Sequence, residues 1–272
     1  MNKLELTARD EIFNQAREWV YEAGEFIRSK MFNPYVIETK SNANDLVTEI
    51  DQATEQFFAE KIRHFYPSHR IVGEEGYGDR VTSLDGTIWI IDPIDGTMNF
   101  VHQKRNFAIS VGIYHNGIGE VALIYNVMED VLYTALRGKG AFKNGQKLPS
   151  LSQDVVIENS IIAMNAFICF DDKRINTEKI KSLVLKSRGT RSYGSAALEF
   201  AFVAEGIIDA YVSLSLAPWD FAAGILLVEE VGGTTTTVDG KGVNLLERNS
   251  ILTCNKEIQK ELTNEYFELI HR

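Results

Sequence analysis

The chain has 272 residues, of which 44% are hydrophobic and 24% are charged, and its formal net charge is −10 at pH 7. This composition is ordinary for a globular protein and argues against both a disordered chain and a membrane bundle. The acidic balance argues against a nucleic-acid partner, because proteins that coat DNA need a positive surface to displace counterions. We therefore expect any phosphate chemistry to depend on a metal ion or a helix N-terminus.

Membrane and secretion signals are not evident in the sequence. The most apolar stretch, residues 196–231, is interrupted repeatedly by acidic side chains, so no run of about 18 apolar residues remains. Residues 1–11 are polar and contain no apolar signal-peptide core. Cys169 and Cys254 lie far apart in sequence, which argues against a disulfide framework. We expect a cytoplasmic protein without a membrane partner.

Helical spacing dominates the first 65 residues. Between Ala8 and Arg28, apolar residues recur every three or four positions and define one buried face. A second helix is predicted from Thr48 to about Phe65, because Pro67 follows it closely. Both segments are therefore predicted to pack one face against a core.

The pattern then changes to the apolar runs and alternation that are typical of strands. The predicted strands cover residues 71–73, 88–91, 107–114, 121–125 and 131–136. After Pro149, predicted strands at 160–164 and 209–212 alternate with predicted helices at 175–186, 195–205 and 219–231. This alternation indicates layered packing of sheets and helices. We predict an N-terminal α+β lobe over residues 1–149 and a C-terminal α/β lobe over residues 150–272.

The strongest chemical signal is the segment Trp89–Thr97, where a buried strand leads into two carboxylates three residues apart, Asp92 and Asp95. Proline cannot donate to a sheet, so the strand is predicted to end at Pro93. Two close acids repel each other unless a cation or a proton lies between them, and a hard divalent cation with oxygen ligands satisfies that need. The alternative is an acidic turn in which Asp95 caps a helix.

Three further acidic segments carry weaker signals. Glu74 and Glu75 follow a short buried strand, and only one of them is predicted to face a site, because strand neighbours point to opposite faces. Asp51 and Asp220 each fall in the first turn of a predicted helix, where a carboxylate also stabilises the helix dipole. Alone, each is better explained as a solvated loop or a cap. Together with the aspartate pair, Glu74 and Asp220 provide enough carboxylates for two or three Mg²⁺ ions.

Two glycine-containing turns, Gly96-Thr97 and Gly194-Ser195, are candidates for binding phosphate through backbone N–H groups. The sequence contains no G-x-S-x-G, C-x-x-C, H-E-x-x-H or P-loop pattern. His64 and His69 have no partners at zinc spacing and are predicted to be surface residues.

In order and spacing, these motifs resemble the inositol monophosphatase family. The matching segments are Gly-Glu-Glu from Gly73, Asp-Pro-Ile-Asp-Gly-Thr from Asp92, Asn-Phe-Val-His from Asn99 and Trp-Asp-x-Ala-Ala-Gly from Trp219. The resemblance extends from the first helix to about Val231. It implies an α+β fold, the layered αβαβα sandwich of the inositol monophosphatase and fructose-1,6-bisphosphatase type, usually in a homodimer. It also implies Mg²⁺-dependent, Li⁺-sensitive hydrolysis of a phosphate monoester.

The resemblance implies a role for each matching residue. Glu74, Asp92 and the Ile94 carbonyl would bind the first Mg²⁺. Asp92, Asp95 and Asp220 would bind the second, and Glu74 would help to bind a third. Thr97 and Asp51, assisted by Glu74, would orient the attacking water. The implied substrate contacts are Asp95, Gly96, Thr97, Gly194, Ser195, Ala196 and Asp220. Two ions about 3.5–4 Å apart would stabilise the attacking and leaving oxygens of an in-line displacement.

Two departures from the family pattern bear on the substrate. Many inositol-specific members have a glutamate seven residues before the aspartate of the Trp-Asp motif, where it contacts sugar hydroxyls, but this chain has Ser213. After His102 the chain continues with Gln-Lys-Arg-Asn, which introduces Lys104 and Arg105. If these cations reach the site, a substrate with an extra phosphate becomes plausible. The alternative is a solvated basic loop.

The sequence thus predicts a Mg²⁺-dependent phosphomonoesterase that hydrolyses inositol monophosphate by direct attack of a metal-activated water. One alternative is a broader-specificity phosphatase of the same family that acts on fructose 1,6-bisphosphate or on the 2′-phosphate of NADP(H). An alternative of another class is a regulatory interaction module that retains the fold.

Overall fold

A computed structural model describes residues 5–40, 46–170 and 173–270. The helices in these ranges are α1 (Leu6–Lys30), α2 (Glu49–Phe65), α3 (Thr97–Gln103), α4 (Thr177–Lys186), α5 (Ala196–Glu205), α6 (Pro218–Glu229) and α7 (Lys256–Glu261). None of them is long and apolar enough to cross a membrane.

The strands form three sheets. In chain order they are β1 (Ile37–Thr39), β2 (Leu46–Thr48), β3 (Arg70–Gly73), β4 (Thr87–Asp95), β5 (Ala108–His115), β6 (Ile118–Asn126), β7 (Val131–Leu136), β8 (Gly140–Lys143), β9 (Gln146–Lys147), β10 (Ile161–Met164), β11 (Gly189–Arg191), β12 (Ala210–Leu216), β13 (Thr234–Thr236) and β14 (Asn249–Cys254). β1 and β2 pair by themselves. The large sheet has the order β3-β4-β5-β6-β7-β8-β9, and the smaller sheet has the order β11-β10-β12-β14-β13.

Three clusters of buried apolar residues fill the space between the sheets and the helices. α1 and α2 pack on one face of the large sheet, where Trp89 and Ile91 of β4 are buried. Ile88 and Ile90 point to the opposite face, which packs against α5 and α6, and these two helices pack in turn against one face of the smaller sheet. α4 and α7 cover the outer face of the smaller sheet. The alternation of side chains along β4 therefore builds both cores, and the predicted αβαβα sandwich is confirmed. The division into lobes at residue 149 stays a prediction.

The prediction that the strand ends at Pro93 is wrong. β4 continues to Asp95, and its register with β5 shifts between the pairs Asp92–Ser110 and Asp95–Ala108. Three steps on β4 thus oppose two on β5, which is a bulge, and a bulge tolerates a proline. On a regular strand two residues three apart point to opposite faces. The extra residue cancels that alternation and brings both aspartates to the same side.

Small residues bring α6 close to its neighbours. A Cβ atom added to Gly112 of β5 would lie 2.9 Å from the backbone nitrogen of Ala223. A Cβ atom added to Gly224 would lie 2.2 Å from the ring of Phe200 in α5. This close packing fixes the start of α6 beside the end of β4.

Candidate active site

Three aspartates from two elements form a carboxylate cluster. Asp92 and Asp95 lie in the bulged end of β4, and Asp220 lies in the first turn of α6. One carboxylate oxygen from each lies within 4.8 Å of the others. Burial, together with the negative charges of Glu74 and of one another, raises the pKa of all three carboxyls. Buried, mutually repelling oxygen donors are a set that a hard divalent cation fits.

Backbone groups orient two members of this carboxylate cluster. Oδ1 of Asp92 accepts a hydrogen bond from the backbone N–H of Ile94, at 3.0 Å. Oδ2 of Asp220 accepts one from the backbone N–H of Ala217 just before α6, at 2.7 Å. Asp220 is therefore both a helix cap and a member of the cluster, so the cap and the ligand interpretations are compatible.

Asp95 occupies the N-terminus of α5. Its carboxylate accepts hydrogen bonds from the backbone N–H groups of Ala196 (3.3 Å) and Ala197 (2.8 Å). The hydroxyl of Ser195, the N-cap residue of α5, also donates to it. The Asp95 carboxylate therefore occupies the N–H groups at the start of α5.

The two predicted glycine turns meet at this point. Gly96 has a φ of 94°, which favours glycine. A Cβ atom on it would lie 3.0 Å from the carbonyl oxygen of Gly194. The side chain of Asn99 in α3 donates to the Tyr193 carbonyl at 2.6 Å and so ties the turns together. The two glycines predicted to contact substrate thus lie in two adjoining turns.

Thr97 and Asp51 also come together. The Thr97 hydroxyl lies 3.2 Å from both Oδ1 of Asp51 and the carbonyl oxygen of Ile94, either of which can accept its hydrogen. The other oxygen of Asp51 accepts from the backbone N–H of Thr48 at 3.0 Å, in a capping box at the start of α2. Burial, with a contribution from the charge of Glu74, raises the pKa of Asp51 to about 6. This pair is placed to hold a polar group beside the bulge.

Glu74 and Glu75 share one cation. Nζ of Lys40 lies 2.8 Å from Glu74 and 2.6 Å from Glu75. Because β3 ends at Gly73, both glutamates lie outside the strand, and the argument from strand alternation does not apply to them. Glu74 is not part of the compact carboxylate cluster, although its charge acts on all three members.

Sequence reasoning missed Glu55, which is buried beneath the loop that follows β3 and holds its backbone. Glu55, in the middle of α2, accepts hydrogen bonds from the backbone N–H groups of Glu75 (2.6 Å) and Tyr77 (2.8 Å). A Cβ atom on Gly73 would lie 2.5 Å from the Glu55 carboxyl, so any larger residue there would displace that carboxyl. An acid inside an amphipathic helix carries no sequence signal for this role, whereas the glycine before the glutamates was a usable hint.

Lys104 and Arg105, the two basic residues after α3, have different surroundings. Nζ of Lys104 donates a hydrogen bond to the hydroxyl of Tyr35, and it lies 4.3 Å from the Tyr35 ring centroid and 5.0 Å from that of Phe100. Cation–π contacts therefore hold the ammonium against aromatic rings. Arg105 is exposed.

The prediction of two surface histidines holds for only one of them. His64 is exposed, but His69 is half-buried, and its Nδ1 accepts a hydrogen bond from the indole nitrogen of Trp89 at 3.0 Å. Burial lowers the pKa of His69 to about 4. Neither histidine belongs to the carboxylate cluster.

A cavity of about 270 Å³ opens beside the carboxylate cluster. We call it the side cavity. Asp95 and Asp220 form its inner end, while its wall includes Glu199, Tyr211 and Ser213. Sequence reasoning singled out Ser213 but missed Glu199 and Tyr211. Its size and polar lining suit a small polar molecule whose charged end reaches the cluster.

Comparison with known proteins places the chain in one family. The model of the inositol monophosphatase family matches residues 8–272. The chain is similar to the inositol-1-monophosphatase of Bacillus subtilis (strain 168), with 53% identity over 261 residues that cover 96% of this chain and 98% of that protein.

Solved structures agree with the sequence comparison. A structure of SaIMPase-II with inositol monophosphate bound is 39% identical, with a TM-score of 0.84 and coverage of 94% of this chain and 93% of that chain. A structure of an IMPase/NADP phosphatase complexed with Mg²⁺ and phosphate is 27% identical, with a TM-score of 0.87 and coverage of 96% and 98%.

Proposed function

Because this chain belongs to the inositol monophosphatase family and is a phosphoric monoester hydrolase, we propose that it hydrolyses inositol monophosphates by direct attack of a metal-activated water. The observation that carries the proposal is the carboxylate cluster beside the side cavity. We infer that Mg²⁺ neutralises these acids and that the phosphate of the substrate meets them at the inner end of the cavity.

The residues present fit a group of two or three Mg²⁺ ions. We infer that Asp92, Asp95 and Asp220 bind the metal directly, and that Glu74 and the Ile94 carbonyl complete the ligand set. When bound, Mg²⁺ lowers the pKa of water and withdraws charge from the phosphoryl oxygens. Beside such a cation the three buried carboxylates would stay ionised, because its charge would offset their repulsion.

The side chains of this protein orient the reactants. The Thr97 hydroxyl, held between Asp51 and the Ile94 carbonyl, is placed to accept a hydrogen bond from the attacking water or to pass one on. Asp51, whose pKa is raised to about 6, is a suitable acceptor for a proton near neutral pH. We infer that Glu74 assists this pair, and that Gly96, Gly194, Ser195 and Ala196 shape the turns around the substrate.

A second candidate substrate class is an NADP(H) 2′-phosphate or a sugar bisphosphate. The likeness to a protein described as an IMPase/NADP phosphatase favours retaining it. The contacts of Lys104 with Tyr35 and Phe100 argue against a second phosphate at that residue. Inositol monophosphate is therefore the favoured substrate.

The test is phosphate release from inositol 1-phosphate, fructose 1,6-bisphosphate and NADP⁺, each with Mg²⁺, with EDTA and with added Li⁺. We expect the highest kcat/KM for inositol 1-phosphate, no release with EDTA and inhibition by Li⁺. A higher kcat/KM for NADP⁺ or the bisphosphate would favour the second candidate. Failure to release phosphate from all three would favour the regulatory module.

We also infer a homodimer and a cytoplasmic location, as the family resemblance and the sequence suggest. Three large apolar side chains on the outer layer, Phe167, Phe170 and Leu185, are exposed, which is compatible with a partner chain. Analytical ultracentrifugation tests the dimer: sedimentation as a monomer at micromolar concentration would contradict it.

A further inference from the structure

Glu55 is a fully buried acid in α2, and the proposed mechanism gives it no task. It follows Asp51 by one helical turn, and residues four apart share a face of a helix, so the two acids point the same way. Asp51 lies beside the Thr97 hydroxyl, whereas Glu55 lies beneath the loop that follows β3. A buried acid is costly unless its polarity is used.

The loop above Glu55 carries Glu74, which the proposed function assigns to the metal. We call residues 74–79 the glutamate loop; it follows β3 directly and contains no helix or strand. It includes Gly76, with a φ of 90°, and Gly78. A segment with glycines and no regular structure has many conformations to lose on ordering. The position of Glu74 therefore depends on the contacts that anchor this loop.

Backbone contacts with Ile71 of β3 close the far end of the glutamate loop. The N–H of Asp79 donates to the Ile71 carbonyl at 2.7 Å, and the N–H of Ile71 donates to Oδ2 of Asp79 at 2.9 Å. These two bonds fix the end of the loop at Asp79. They do not hold the part near Glu74.

Glu55 holds that part with both of its carboxylate oxygens. Oε2 accepts from the backbone N–H of Glu75 at 2.6 Å, and Oε1 accepts from the backbone N–H of Tyr77 at 2.8 Å. The backbone is thus anchored on both sides of Gly76. A glutamine could not replace this acid, because its amide has one acceptor oxygen and would turn an NH₂ group toward the other N–H.

Glu55 and Lys40 act on different parts of the loop. Lys40 contacts the Glu74 carboxylate itself, at 2.8 Å, so it competes with any other cation for that group. Glu55 bonds to the backbone beyond Glu74 and leaves the Glu74 carboxylate available. Groups that orient a metal ligand without touching the metal commonly set the affinity of the site.

We propose that Glu55 is a positioning residue of the metal site, because by anchoring the backbone on both sides of Gly76 it holds Glu74 where it binds Mg²⁺. This inference rests on the proposed function, which assigns Glu74 to the metal. One face of α2 then serves the site twice, through Asp51 beside Thr97 and through Glu55 beneath the glutamate loop.

The first test needs no metal. Amide hydrogen exchange is measured in EDTA on the wild type and on Glu55→Gln, which keeps the size of the side chain and removes one acceptor. We expect the amides of residues 75 and 77 to exchange about tenfold faster in the variant, the effect of losing one hydrogen bond to a charged group. Unchanged exchange would overturn the anchoring role.

The second test measures Mg²⁺ affinity by calorimetric titration in the presence of inorganic phosphate. We expect Glu55→Gln to bind Mg²⁺ about tenfold more weakly. Phosphate release from inositol 1-phosphate should recover to nearly the wild-type kcat when Mg²⁺ is raised to saturation. A loss of kcat that no Mg²⁺ concentration restores would show instead a general structural role, and it would overturn the proposal.

A double-mutant cycle shows whether Glu55 acts through Glu74. Mg²⁺ affinity is compared in Glu74→Gln and in the double variant with Glu55→Gln. Residues that act as one unit are not additive, so Glu55→Gln should weaken binding little further once the Glu74 carboxylate is gone. A full tenfold further loss in the double variant would overturn the proposal.

Glu230→Gln is the matched control. Glu230 also accepts two backbone N–H groups, those of Gly138 and Gly140, one on each oxygen and both at 2.7 Å. It follows the end of α6, whereas Asp220 lies in the first turn of that helix. We expect faster exchange at residues 138 and 140 and unchanged Mg²⁺ affinity. A tenfold weaker affinity in this control would overturn the specific role of Glu55.

A second variant covers the case in which Glu55→Gln does not fold, which thermal melting detects. In Gly73→Ala the added Cβ atom meets the Glu55 carboxyl and displaces it, so exchange should rise and Mg²⁺ affinity fall as in Glu55→Gln. Wild-type exchange and affinity in Gly73→Ala would overturn the proposal. A wild type that binds Mg²⁺ but releases no phosphate refutes the proposed function alone, and this is recognised before any substitution is made.

Discussion

The carboxylate cluster and Glu199 are buried acids beside the side cavity, and their surroundings differ. In the carboxylate cluster, Asp92, Asp95 and Asp220 face one another within 4.8 Å. Glu199 instead accepts a hydrogen bond from the backbone N–H of Tyr193 at 2.7 Å. Burial raises the pKa in both groups, but only the cluster adds strong mutual repulsion. The cluster therefore calls for an external cation, whereas Glu199 is satisfied by neutral donors from the protein itself.

The largest effect should come from breaking the cluster. We expect Asp92→Asn to lower kcat for inositol 1-phosphate about 1,000-fold, because a charge-stabilising group worth about 4 kcal/mol in the transition state is lost at 1.36 kcal/mol per tenfold. Phosphate release under saturating Mg²⁺ measures it.

Thermal stability in the absence of metal provides the control for Asp92→Asn. Without metal, Asp92→Asn removes repulsion from a buried cluster, so its melting temperature in EDTA should equal or exceed that of the wild type. Near-normal turnover would refute the assignment of Asp92, and a lower melting temperature in EDTA would indicate that the loss is structural.

A smaller loss of kcat should follow removal of the Thr97 hydroxyl, which lies between Asp51 and the Ile94 carbonyl. We expect Thr97→Val to lower kcat about 100-fold with little change in KM, because positioning of a proton-transfer partner contributes at least about 100-fold. Thr54→Val is the matched control, since the Thr54 hydroxyl donates to the Ile50 carbonyl of its own helix at 2.7 Å. An equal loss in both variants would contradict a specific role for Thr97.

Lys40, the cation held by Glu74, offers a test in which a substitution should strengthen Mg²⁺ binding. Lys40→Gln removes the ammonium held by Glu74 and Glu75 and makes the site more negative. We expect the Mg²⁺ concentration for half-maximal activity to fall about threefold, in the range of a partly exposed ion pair. Lys61→Gln, which breaks the 3.0 Å pair with Glu22 on the outer helices, should leave it unchanged. A higher Mg²⁺ requirement in Lys40→Gln would show instead that Lys40 organises the ligands.

The smallest effect should be on the pH dependence of stability, and it concerns His69, a half-buried base outside the carboxylate cluster. The pKa of His69 is about 4 in the folded protein and about 6.5 when unfolded. A depressed histidine contributes stability that is present above pH 6.5 and is lost as the pH falls toward 4. Between pH 7 and pH 5 the wild type should therefore lose about 1 kcal/mol more unfolding free energy than His69→Gln, after allowance for the solvent screening of a half-buried ring.

Urea unfolding at the two pH values measures this difference. His64→Gln, at an exposed histidine on the same segment, is the control and should follow the wild type. If His69→Gln shows the same pH dependence as the wild type, burial does not control the protonation of this ring.

Much of the architecture was predictable because its signals are local. The spacing of apolar residues located α1 and α2, and Thr48 and Phe65 do bound the second helix. The strand at the Trp-Ile-Ile-Asp segment was placed correctly, but its end was not. Whether Pro93 terminates a strand depends on the register with β5, and register is a property of two strands together.

Long-range pairing explains the other omissions. β13, β14 and α7 lie beyond the last matching motif, and their short segments have little periodicity of their own. At the site, the aspartates were found because adjacent acids are conspicuous in a sequence. Glu55, Glu199 and Tyr211 were missed because each lies inside an ordinary helix or strand, and its partners are distant in the chain or meet it only after folding.

The central claim is that Asp92, Asp95 and Asp220 form the metal centre of a phosphatase. Calorimetric titration with Mg²⁺ in the presence of inorganic phosphate tests it most directly, with the wild type and Asp92→Asn measured side by side. We expect the wild type to bind about two to three ions per chain and Asp92→Asn to bind fewer and far more weakly. Identical binding by the two proteins, or no binding by the wild type, would contradict the claim.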